Sequence, residues 1–149
     1  TVRRELAAYL LARLLGLVRR GWPLPFGALH APRSMIGLRN LCDVLRVAAA
    51  HPQAPGLCML VADADAPGVA ELVAGIARSL NLPARLIDVP EPLLRGALAL
   101  VGRSSDYQRL ASPYLIRGTL ARERLGWTPA YRWDEELAWA LQGAGLASR

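Results

Sequence analysis

Two arginines are the residues best suited to chemistry. Arg33 follows the Leu24–Pro25–Phe26–Gly27 stretch and the polar loop after it, and Arg109 falls in the long stretch between Val101 and Tyr114. A guanidinium presents a planar fork of donors that fits a phosphate or carboxylate. Two such groups from distant loops can clamp a diphosphate, although most arginines are solvated surface charge. Asp63–Ala64–Asp65 follows an apolar run. Such a pair can hold a divalent cation on a diphosphate, but carboxylates at this spacing more often serve as turn and capping groups. His30 and His51 are the only histidines, and His51 lies where a helix ends, a place that favours imidazolium. Cys42, His51 and Cys58 do not have zinc-site spacing, so the two cysteines read as reduced core thiols of a cytosolic protein.

All 18 basic residues are arginine. Without lysine there is no Schiff-base amine, no phosphate-loop lysine and no lysine in an acid–base pair. A nucleophile elbow and a zinc-type H-E-x-x-H are also missing. Gly143–Ala144–Gly145 has no strand before it and no helix after it, which excludes a dinucleotide fingerprint. The formal charge of +6 points to anionic partners. Nucleic acid fits poorly, because the arginines are scattered and only four Trp, four Tyr and one Phe could stack on bases.

These residues must be positioned by a single domain, as expected for 149 residues. A hydrophobic fraction of 53% suffices for a core without disulfides or metal. The apolar stretch Leu6–Val18 is broken by Arg13, so no membrane span and no signal peptide is expected.

Periodicity predicts helices over residues 3–20, 41–50, from Gly68 to about Leu80, 91–101, from Thr119 to Gly126, and from Asp134 through Leu141. Asn40, Thr119 and Asp134 read as their caps. Short apolar or extended runs at 24–28, 34–38, 57–62, 85–89 and 114–117 read as strands, with 102–113 a loop. The expected fold class is therefore α/β, short strands alternating with helices. Residues 1–142 form the domain, and 143–149 a tail.

The run Pro23–Leu24–Pro25–Phe26–Gly27, then Arg33–Ser34–Met35–Ile36–Gly37–Leu38–Arg39–Asn40–Leu41–Cys42–Asp43, resembles a known pattern. So do Arg109–Leu110, Arg122 to Pro129 with its leucine-glycine-tryptophan-x-proline element, and Asp134 to Leu137. In order and spacing they resemble the C-terminal, sugar-nucleotide-binding part of the NAD-dependent epimerase/dehydratase family, the extended short-chain dehydrogenases. The nearest branch is the 4-epimerases of UDP-hexoses and UDP-N-acetylhexosamines.

The resemblance implies that Arg33 and Arg109 contact the diphosphate. It implies that Leu24, Pro25, Phe26 and Gly27 lie against the uracil ring, that Asn40 and Asp43 are helix caps, and that Trp127 and Pro129 form a packing turn. It departs from the family at Leu10, where an asparagine is usual, and at Arg117, where an aspartate is usual. The glycine-rich NAD loop and the tyrosine-x-x-x-lysine pair of the family's N-terminal half have no counterpart, and Tyr9 with Arg13 is no substitute. The implied function is substrate grip for a UDP-sugar in an enzyme whose missing Rossmann half carries NAD. This chain alone would have no catalytic, cofactor-binding or metal-binding residue. The expected setting is cytoplasmic. The other readings are a stand-alone nucleotide- or anion-binding module and a basic nucleic-acid-binding domain. Apolar helices left uncovered, from Leu6 to Val18 and around Leu93 and Leu94, predict a homo-oligomer.

Overall fold

A computed structural model describes residues 2–100 and 110–146. Six helices run in the order α1 Val2–Arg19, α2 Leu38–Ala50, α3 Val69–Ser79, α4 Glu91–Leu100, α5 Thr119–Leu125 and α6 Trp133–Gly143 among the described residues. No strand occurs among them. The expected α/β fold is therefore wrong, and the molecule is helical.

Two isolated parallel bridges, Leu24 to Leu86 and Arg33 to Tyr114, stand where strands were expected. The prolines give the physical reason. Pro23 and Pro25 flank Leu24, Pro32 precedes Arg33, and Pro113 precedes Tyr114; each removes a ladder donor and restricts its neighbour. Beyond the second bridge, Ile116 donates its N–H to Ser34 Oγ at 2.9 Å, so a side chain takes the donor that a continuing ladder would need. The 57–62 run fails as a buried strand because Leu57 and Leu60 are exposed.

The helices follow their apolar periodicity. α3 is the centre: Val69, Leu72, Val73, Ile76 and Ala77 are all buried. It packs against α1 and α6. At the α6 contact, Gly75 leaves room for the Trp133 ring, which a Cβ would approach to 2.9 Å. Asn81, at φ 54°, ends α3 in the left-handed region, and Leu82 N–H returns to Ala77 O at 2.9 Å, a Schellman closure. The core around α3 also takes Leu14, Val18, Leu24, Leu29 and Leu94. A second, smaller core joins α2 and α5 through Val44, Ala121, Leu125 and Trp127.

The expected caps need correction. α2 starts at Leu38 with Gly37 as its N-cap, which puts Asn40 inside the helix. Gly118 caps α5, and Arg132 caps α6, with Glu135 Oε2 accepting the Arg132 N–H at 2.9 Å. Gly126, at φ 64°, closes α5 as expected. Most of the 102–113 loop lies outside the described residues; Leu110 and Ala111 are helical.

Candidate functional site

The 24–33 segment crosses the surface of the α3 core. Leu24 is held from both sides by the 85–87 segment: its N–H donates to Arg85 O at 2.8 Å, and Ile87 N–H donates to Leu24 O at 2.9 Å. The chain then turns through 25–28, and Leu29 N–H closes on Phe26 O at 3.0 Å. Gly27 is buried against the facing segment and donates to Ile87 O at 3.1 Å. A Cβ there would run into the Asp88 carboxylate and the Ile87 carbonyl, so the close approach requires glycine. Of the four residues expected beside a base, Leu24 is core and Gly27 is buried. Pro25 and the core-packed Phe26 remain half-exposed.

Arg33 is half-buried beside Tyr114. Its Nη2 makes a long contact to Ser112 O at 3.4 Å, and its Nε is buried with no hydrogen-bond partner. No carboxylate pairs with Arg33 among the described residues. Burial holds its pKa below the ordinary arginine value. A guanidinium withdrawn from water and left short of acceptors is a ready anion contact. Arg109, its expected partner in a clamp, lies outside the described residues.

Three residues before Arg33, His30 Nδ1 meets Glu71 Oε1 at 2.6 Å. Glu71 sits in the first turn of α3, which docks against this segment through Ala70 N–H to Leu29 O at 3.1 Å. The Glu71 contact raises the His30 pKa, and Asp88 adds to the effect. For Glu71, burial pushes upward, but the His30 hydrogen bond and the nearby amides of Glu71 and Gly68 leave the carboxyl below its ordinary value. A cavity of about 90 Å³ is lined by Ala28 to Ala31, Glu91 and Ala111.

A second polar group sits between the two cores. Asn40 is fully buried. It donates to Asp63 Oδ1 at 2.7 Å and Tyr131 O at 2.8 Å, and accepts from the N–H groups of Ala130 and Tyr131 at 3.1 Å each. Asp63 Oδ2 accepts the Gly37 N–H at 2.9 Å. Burial raises the Asp63 pKa, the hydrogen bonds from Asn40 and Gly37 oppose that, and Glu136 and Asp65 add to the rise. Glu136, also buried, takes Arg39 Nε at 2.7 Å and Arg39 N–H at 3.2 Å. Arg39 in turn lies 3.8 Å from the Tyr131 ring centre.

Two carboxylates thus fill the N-terminus of α2. Asp65 turns instead to Arg132 at 3.7 Å, while the two Asp63 oxygens accept from Asn40 and Gly37, so both carboxylates are engaged by the protein's own donors. Asp43 accepts the Trp127 indole N–H at 2.9 Å and ties α2 to the packing turn. Beside Asp63, a cleft of about 240 Å³ opens toward Thr119 and Arg122 of α5.

Sequence reasoning missed the His30–Glu71 pair and the Asn40–Asp63–Glu136 network. Only the glutamate three residues after the Gly68 cap offered a signal, and it reads first as an ordinary first-turn acid.

No protein-family model matches the chain, and no solved structure matches it. Over 119 residues the chain is 33% identical to the UDP-glucose 4-epimerase of Vibrio cholerae, an alignment that takes in 79% of this chain and 36% of that protein. The chain therefore spans about a third of the relative's length. That similarity, added to the motifs from Pro23 to Pro129, supports a relation between this chain and the epimerase family.

Proposed function

We propose that this chain is the sugar-nucleotide-binding, C-terminal part of an NAD-dependent epimerase acting on a UDP-sugar. One observation carries the reading: Arg33 is half-buried, its Nε has no acceptor, and no acid pairs with it among the described residues. A diphosphate supplies acceptors to the terminal Nη groups, the Nε being shielded from solvent. Pro25 and Phe26, set on the turn that leads to Arg33, offer a half-exposed ring and imide edge for the base. Arg109 is proposed as the second diphosphate contact, within a cytoplasmic enzyme.

An open helix N-terminus is a favourable seat for a dinucleotide phosphate, and three of the described helices do not offer one. Asp63 and Glu136 fill that of α2, the His30 backbone and Glu71 crowd Gly68 at that of α3, and Glu135 closes that of α6. In the proposed enzyme NAD, held elsewhere, supplies the hydride chemistry. This chain grips and orients the substrate.

The test is binding of UDP-glucose followed by calorimetry. Arg33→Ala is expected to weaken it about 10- to 100-fold, the loss of a charge-assisted contact. Unchanged affinity, or unchanged KM for the UDP-sugar when the variant is placed in a full-length enzyme, overturns the assignment.

A further inference from the structure

His30 and Glu71 form a histidine–carboxylate dyad whose outer nitrogen has no hydrogen-bond partner among the described residues. Glu71 Oε1 engages Nδ1 at 2.6 Å, and this fixes Nε2 as the nitrogen that faces away. The imidazole is 64% exposed, while Glu71 is seated on α3, whose opposite face is buried in the core. The backbone under His30 is equally constrained: Gly68 lies so close to the His30 Cα that a Cβ there would approach it to 2.8 Å. A surface histidine normally samples several rotamers. This one is held by a carboxylate on one side and a docked helix N-terminus beneath it.

Its place in the chain gives the arrangement a use. His30 lies between the turn assigned to the base, 24–27, and Arg33, assigned to the diphosphate, and residues 28–31 line the 90 Å³ cavity. We propose that His30 is a further substrate-binding residue that donates its Nε2–H to an acceptor oxygen of the bound nucleotide, with Glu71 as the positioning residue that holds the ring. This rests on the reading of the chain as a sugar-nucleotide site. Among the described residues, the charged groups facing the dyad are Glu71 from α3, Asp88 from the segment opposite Gly27, and Glu91 at the start of α4. All three are acids, and Glu71 first, then Asp88, keep the ring a donor over a wider pH range. The phosphate and the nucleoside both offer such oxygens, so uridine and UDP-glucose are compared.

The chain has two histidines, which makes the experiment direct. The ring resonances of His30 are titrated by NMR with and without UDP-glucose, and His51 serves as internal reference. UDP-glucose has no phosphate group that titrates near neutrality. On binding, the His30 midpoint is expected to move to higher pH while that of His51 stays. His30→Gln is expected to weaken UDP-glucose binding about 5-fold at pH 6 and to flatten the fall in affinity between pH 6 and pH 8.5. Glu71→Gln should lose affinity at pH 7 and recover most of it at pH 5.5, a rescue that a purely structural role would not give. A comparable His30 shift with uridine assigns the oxygen to the nucleoside, and a shift with UDP-glucose alone assigns it to the diphosphate.

If UDP-glucose binds in an Arg33-dependent manner but neither the His30 resonances nor the His30→Gln affinity responds, the dyad proposal is wrong and the site reading stands. If UDP-glucose does not bind, or binds without regard to Arg33, both fall.

Discussion

At the scale of the residue, Asn40 shows how a single side chain can be read correctly in type and wrongly in role. An asparagine just before an apolar-periodic stretch suggests a cap. The helix starts two residues earlier, at Leu38, and Asn40 turns inward, where its amide makes four hydrogen bonds to Asp63 and residues 130–131. Asn40→Ala is expected to cost about 3 kcal/mol in urea denaturation, because it strands the Asp63 carboxylate and two backbone amides in a buried place. A loss below about 1 kcal/mol would show that water replaces the amide.

The His30–Glu71 pair sets a pH dependence. The folded His30 pKa lies above its ordinary 6.5, so its contribution is complete below about 6.5 and disappears as the pH rises through the raised value. Glu71 lies below its ordinary 4.5, so its contribution is complete above about 4.5 and disappears as the pH falls through the lowered value. The pair therefore supports the fold most between about pH 4.5 and 6.5. The difference in urea midpoint between wild type and His30→Gln should be largest near pH 5.5 and smaller at pH 8.5. A difference independent of pH would mean that the ion pair is not formed.

At the scale of the element, the helices were legible and the strands were not. A helix declares itself over ten or more residues: the α3 repeat of Val69, Leu72, Val73 and Ile76 has one physical reading, and Asn81 followed by Pro83 marks its end. A short apolar run has several. Residues 57–62 and 85–89 carry the composition of strands, yet Leu60 and Ile87 are exposed. What such a run becomes depends on whether a partner can supply a ladder, and the prolines beside Leu24, Arg33 and Tyr114 limit each pairing to one residue. The extended segments still do a positional job, since one bridge fixes the 24–27 turn and the other fixes Arg33. Arg33 could be singled out in the sequence because its type and motif are local. Glu71 is 41 residues from His30, and Glu136 is 97 from Arg39; pairings at that separation are set by helix docking and leave no local mark in the sequence.

At the scale of the whole molecule, an exposed apolar stripe among the described residues lies on α4, one of the two helices expected to associate, and this is where self-association is placed. The described side chains of α1 begin at Leu11. Of those, Leu14 and Val18 are buried against α3 within the chain, and Leu11, Leu15 and Leu17 are partly covered. On α4, Leu94 points into the core, but Leu93, Ala97 and Leu100 at i, i+4 and i+7 form an exposed stripe, with Leu93 65% and Leu100 90% accessible. An uncovered stripe at this spacing favours a two-fold pairing of α4 with the same helix of a second copy. The charge of +6 on each copy opposes that pairing and is screened by salt. Sedimentation of the isolated chain is therefore expected to show a monomer–dimer equilibrium at tens of micromolar that shifts toward dimer as salt rises from about 50 to about 500 mM, the range over which screening changes most. Leu93→Glu with Leu100→Glu should return it to monomer, whereas a conservative change at the buried Val18 should alter stability and leave the association constant alone. Dimer that survives the α4 double variant, or a monomer at every salt concentration, would rule out this face.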